Sequence, residues 1–226
     1  MTPTQDGMDR GQGPFLEQGE RMDRSLREAL NYRGCLICHM LDKDETNYMA
    51  NLQYQIIKDV KVRRDLVSTN GYCNFHFYQM SRLSSPLVNA VLTRDLIERE
   101  IQEIEGGFPG SNCKIICPVC RYVAEREDFY LKEFENLLLD KGFQKQYEGT
   151  DGLCRIHLKR VLNLMKECEL YQFLLTTQVL HLKILRSELE TFISKVRSTS
   201  QDMGDEKNSW WVAIEKWIGK KGLKVK

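Results

Sequence analysis

The chain has 226 residues, 42% of them hydrophobic and 29% charged, with a formal net charge of +1. That length can bury a core in one large domain or two small ones. Near-neutrality excludes a bulk electrostatic pull toward nucleic acid or an anionic membrane, and five prolines exclude a low-complexity chain. No stretch approaches the ~18 consecutive apolar residues of a spanning helix, so no transmembrane segment is expected.

Residues 1–24 read as a flexible tail. "MTPTQDGMDRGQGPF" is polar and Gly-rich, without the basic-then-apolar pattern of a secretory signal, and a cytoplasmic protein is expected. Eight cysteines then need an explanation, because a reducing compartment disfavours disulfides and favours metal or redox chemistry.

Residues 25–107 form the first unit. "CLIC" supplies Cys35 and Cys38, and "NLQYQIIKDVKVRRDLV" carries a helical apolar period. Gly71 marks a helix stop, and "GYCNFH" follows with Cys73 and His76. "SSP" at 84–86 starts an amphipathic helix over 87–105, with Pro86 near its first turn and Gly106 and Gly107 ending it. "GGFPGS" at 106–111 is the expected linker.

Residues 108–197 repeat the pattern. "CPVC" supplies Cys117 and Cys120, and Val123, Phe129, Tyr130, Phe134, Leu137 and Leu138 recur at helical steps. Gly152 precedes "GLCRIH", with Cys154 and His157. The run 154–196 has neither Gly nor Pro and reads as one helix or two. No strand pattern occurs, so the expected fold is all-α: two tandem helical repeats packed as one pseudo-twofold domain. Residues 198–226 are a polar linker and a Trp-rich basic segment, with Trp210, Trp211, Ile214, Trp217 and Ile218 near one helical face.

The two units align as C-x2-C-x34-C-x2-H and C-x2-C-x33-C-x2-H. Three thiolates and an imidazole form a common closed zinc set. Each unit contains a full set, so each CxxC is expected to share an ion with the CxxH of its own repeat: Cys35, Cys38, Cys73 and His76 in one, Cys117, Cys120, Cys154 and His157 in the other. Two zinc ions per chain follow, bringing the formal charge to about −1.

Other readings compete at the same cysteines. "CLICH" fits the haem-attachment pattern, but repeat two has Arg121 where His39 stands. "CKIICPVC" (Cys113, Cys117, Cys120) fits an iron–sulfur radical enzyme, but the β/α units such enzymes need are missing. A CxxC redox switch would want a βαβ setting. Cys113 and Cys168 read as non-ligands, His181 as a satisfied core histidine, and His39 as a first-turn surface residue.

"ICPVC" with "GLCRIH", and "GCLIC" with "GYCNFH", resemble an uncharacterised prokaryotic family of helical proteins with duplicated CPxC…GxCxxH motifs. Leu36 stands where the proline of that motif would be, and Ile37 departs from its CPLC-like centre. The resemblance spans about residues 30–197 and implies two metal sites without implying an activity.

The leading functional expectation is a non-enzymatic macromolecular interaction module with structural zinc. No nucleophile motif, paired acid–base set or phosphate loop is present. The tryptophans either pack on the chain's own core or dock a protein partner or a second copy; "KKGLKVK" behind them also suits a membrane surface. The alternatives are a metal or thiolate redox sensor, an iron–sulfur protein, and a nucleic-acid-binding regulator resting on the short basic runs "KDVKVRR" and "RIHLKR".

Overall fold

The computed structural model describes residues 26–107, 117–198 and 203–220, all helix, turn and connection with no strand among them. The N-terminal tail, Cys113, most of the inter-repeat linker and the last six residues lie outside the described residues.

After a helical turn at residues 26–29, the elements are α1 (Leu36–Lys58), α2 (Val60–Ser68), α3 (Asn74–Leu83) and α4 (Pro86–Glu105). Then come α5 (Pro118–Leu137), α6 (Lys141–Glu148), α7 (Arg155–Leu164) and α8 (Cys168–Arg197). A 3-10 turn (Asp205–Asn208) leads into α9 (Ser209–Ile218). The succession long, short, short, long therefore occurs twice.

Local chemistry sets the boundaries. α4 starts as its sequence indicates: Pro86 fills the first turn, the Ser85 hydroxyl accepts from the Val88 amide, and Gly106 caps the end. The 51–67 run breaks at Asp59, whose extended backbone ends α1 and whose carboxylate caps α2 by accepting from the Lys61 amide at 2.8 Å. The 154–196 run is two helices, parted at Met165–Glu167, where the backbone turns extended.

The two CxxC helices, α1 and α5, pack against each other. Tyr48 stacks on Tyr122 at 4.3 Å, and Asp44 of α1 accepts from Arg126 and Tyr130 of α5, both at 2.6 Å. Leu36, Ile37, Met49 and Ile56 join Val119, Leu131 and Phe134 in one buried cluster. Phe134 meets Phe143 and Tyr147 edge-on at 5.9 and 5.3 Å. Each such fully buried side chain contributes about 1.5–3 kcal/mol. The core is thus shared between residues 26–107 and 117–198, and this brings their ligands together.

Candidate metal centres

Four cysteines hold the same local position. Cys35, Cys73, Cys117 and Cys154 are each the N-cap of a helix, with extended backbone. Three residues on, in the first turn, stand Cys38, His76, Cys120 and His157. The spacing x2 therefore places each ligand pair at a helix N-terminus, where unpaired amides and the helix dipole favour thiolates.

Before each CxxH, a glycine takes a left-handed backbone: Gly71 at φ +71° and Gly152 at φ +73°. A Cβ there would be strained in any surroundings. At Gly152 it would also collide with His181 Nδ1.

The eight ligands gather into two groups, and the pairing corrects the expectation from sequence. Cys35 and Cys38 meet Cys154 and His157; Cys117 and Cys120 meet Cys73 and His76. Each group joins the CxxC of one half of the chain to the CxxH of the other. The reason is the packing of α1 on α5, which carries each CxxC past its own CxxH to its counterpart. A metal here would not clip successive helices of one repeat; it would staple the repeats together.

In the first group, which we call the inner quartet, His157 Nδ1 lies 3.4, 3.3 and 3.3 Å from the sulfurs of Cys35, Cys38 and Cys154, and Cys38 and Cys154 sulfurs are 3.8 Å apart. In the outer quartet, His76 Nδ1 lies 3.2, 3.3 and 3.3 Å from Cys73, Cys117 and Cys120, and Cys73 and Cys120 sulfurs are 3.6 Å apart. A tetrahedral ion with metal–sulfur bonds of about 2.3 Å and metal–nitrogen bonds of about 2.0–2.1 Å has edges of roughly 3.8 Å between sulfurs and roughly 3.5 Å from sulfur to nitrogen. In both quartets the three sulfur–nitrogen edges and one sulfur–sulfur edge come close to those values, and all four ligand atoms lie within 4.8 Å of one another.

The far nitrogen of each histidine meets a buried glutamate that the sequence reading did not single out. His76 Nε2 is 3.1 Å from Glu45 Oε1, in hydrogen-bonding geometry. His157 Nε2 is 3.2 Å from Glu127 Oε1, off the ideal hydrogen-bond line, and Arg160 reaches the same oxygen. A carboxylate behind a ligating imidazole fixes its tautomer and raises its basicity. The signal was available: Glu45 and Glu127 each lie seven residues after the second cysteine of a CxxC, two helical turns along.

The protons divide unevenly within each quartet. Burial pushes Cys117 up, but the His76 hydrogen bond and amides at Cys73 and Cys120 outweigh it and bring the thiol down to about 6. Burial, reinforced by the charge of Cys117, pushes Cys120 up to about 12. Burial lowers His76, but Cys117 and Glu45 raise it to about 10. The inner quartet repeats the pattern: Cys35 falls and Cys38 and His157 rise. Without an ion, each quartet therefore favours a thiolate beside an imidazolium, and a divalent cation would displace that proton on binding.

The remaining candidates fall outside both groups. Cys168 is exposed at the start of α8. His181 is a core histidine whose Nε2 is 3.1 Å from the Glu148 carbonyl and whose ring meets Tyr147 edge-on. His39 stacks on Tyr32 at 3.9 Å. Trp210, Trp211 and Trp217 are exposed, so they do not pack into the chain's own core. No family model, curated protein or solved structure matches this chain. Among the described residues, no helix is long and apolar enough to cross a membrane.

Proposed function

We propose that this is a zinc protein with two structural Cys3His sites, working as a non-enzymatic interaction module in a reducing, cytoplasmic setting. The ligands are Cys35, Cys38, Cys154 and His157 at one ion and Cys73, His76, Cys117 and Cys120 at the other. The observation that carries the reading is a pair of compact groups, each of three sulfurs and one nitrogen within 4.8 Å of one another, with sulfur–nitrogen distances near those around a single zinc ion. Each set fills all four positions with protein ligands, and a closed set leaves no place for substrate. Multi-iron clusters hold their cysteine sulfurs farther apart than these edges allow. When bound, zinc supplies a four-way cross-link. Cys3His carries about −1 with the ion, and the two helix N-termini at each site offset it by about half a charge each.

The two ions join repeats that occupy one core, which supports a pseudo-twofold domain built from the duplication. Membership of the uncharacterised CPxC…GxCxxH family fits the same ligand set. The test is elemental analysis with X-ray absorption on the purified protein. Two zinc per chain with three sulfurs and one nitrogen each is the expected result. Iron with visible absorption would overturn it.

A second reading is favoured at the outer quartet alone, where Cys73 and Cys120 reach solvent. There a peroxide could oxidise zinc-bound thiolates and release the ion, making that site a redox sensor. Stoichiometric release of one zinc by hydrogen peroxide, restored by thiol reductant, is the outcome this second reading requires.

A further inference from the structure

Helix α9 is turned inside out. It buries Ser209, Val212 and Lys216, and it exposes Trp210, Trp211, Ile214, Trp217 and Ile218. Trp217 and Ile218 are 64% and 63% exposed, whereas Lys216 is 5% exposed.

A polar anchor sets this orientation. Lys216 Nζ donates to the carbonyls of Asp151 and Leu153, the latter at 3.0 Å, in the Gly152 turn that carries Cys154. With Lys216 held inward, the helical period places positions 210, 211, 214, 217 and 218 together on the outer face.

Five large apolar side chains facing outward from a ten-residue helix mark an interaction surface. The charges beside it indicate the partner. Arg155 and Lys159 of α7 line one groove with Ile156, Trp217 and Ile218. The Arg155 guanidinium lies 4.8 Å above the Trp217 ring. A nucleic acid would meet these cations but leave the isoleucines unmatched. A second copy related by a twofold axis through this face would bring Arg155 and Lys159 against their own kind. A lipid bilayer with anionic headgroups matches both: tryptophans favour the headgroup boundary, and Arg155 and Lys159 meet lipid phosphates.

We propose that α9 docks the protein in plane on an anionic lipid surface, with the Trp–Ile face at the headgroup boundary and Arg155 and Lys159 toward the phosphates. This deepens the interaction-module reading and rests on it, while it does not depend on which metal is bound.

The experiment is co-sedimentation of the full-length, metal-loaded protein with vesicles of phosphatidylcholine alone or of phosphatidylcholine and phosphatidylglycerol in equal parts. Metal content is measured on the same samples. The expected result is binding to the anionic vesicles with a blue shift of tryptophan emission, and about 25-fold weaker binding to the neutral ones, about fivefold for each of Arg155 and Lys159. Trp217→Ala with Ile218→Ala should weaken anionic binding by at least about tenfold with metal content unchanged. Lys159→Gln should weaken it by about fivefold and leave neutral vesicles unaffected. Metal-loaded protein that stays in the supernatant with both vesicles overturns the docking proposal and leaves the metal reading standing. An emission shift that follows protein concentration without lipid overturns it in favour of a second copy. Anionic binding untouched by the Trp217→Ala with Ile218→Ala pair or by Lys159→Gln overturns it as well.

Discussion

The inner and outer quartets have the same four ligand types in the same helix positions, yet they differ in setting. All four inner ligands are buried, whereas Cys73 and Cys120 of the outer quartet are partly exposed. The inner quartet is held from several sides. Asp151 Oδ2 accepts from the Gly34 amide at 2.5 Å and from Arg33 at 2.9 Å, tying the loop before Cys35 to the turn before Cys154. Gln178 clamps that turn by accepting from the Leu153 amide at 3.1 Å and donating to its carbonyl at 2.9 Å, and Lys216 adds its ammonium. At the outer quartet Leu96 packs beside the corresponding Gly71. Identical ligation does not make identical sites; the surrounding hydrogen bonds and burial separate a core staple from one that meets solvent.

The sharpest way to break this picture is to test the pairing. Cys35→Ser with Cys154→Ser removes two ligands of one quartet, so the double variant should keep about one equivalent of metal. Pairing within repeats would leave none. Each single variant should already cost several kcal/mol of stability, because structural zinc binding is coupled to folding. Metal analysis and urea unfolding of both singles and the double decide the matter.

The glycine turns come next. Gly152→Ala meets His181 and Gln178 as well as a left-handed backbone, whereas Gly71→Ala meets only Leu96 and Phe77 at 3.2 and 3.3 Å. The backbone term is about 1–2 kcal/mol in each. Gly152→Ala should lose clearly more than that, and Gly71→Ala about that amount, in denaturant titrations.

The glutamates sharpen the comparison further. Glu45→Gln and Glu127→Gln should each weaken metal binding about 10- to 100-fold, by competition with a chromophoric chelator. Glu127 adds a pH signature. Burial opposes its ionisation, but His157 and Arg160 close by outweigh burial and, without a bound ion, hold it below its ordinary 4.5. A depressed carboxylate stabilises the fold above its ordinary value, and that contribution is lost as pH falls through the folded-state value. Below pH 4.5 the metal-free wild type should therefore lose stability faster than metal-free Glu127→Gln. The smallest effect belongs to Cys168→Ser, within about 0.5 kcal/mol and without change in metal content, since that thiol is exposed and outside both quartets.

Much of this was legible in the sequence. Pro86 and Gly106 bound a helix at the positions the residues indicate, and the eight ligands stood out because cysteine, histidine and glycine recur together. Their partners did not, because each repeat contains a complete set at a workable spacing, and only the α1–α5 packing, through Asp44, Arg126 and the Tyr48–Tyr122 stack, chooses between them. The orientation of α9 was equally hidden. Its apolar pattern reads as a face to be buried, and what turns it outward is one lysine bonded to two carbonyls of a distant turn.

The crossed pairing has a consequence for synthesis. The chain emerges from the ribosome N-terminus first. Cys35, Cys38, Cys73 and His76 are all present long before Cys154 and His157 are made. A growing chain thus offers a full but non-native ligand set to any zinc in its surroundings. An ion captured there must change partners before the two halves can interlock, so free zinc during translation competes with the native fold that zinc later holds together.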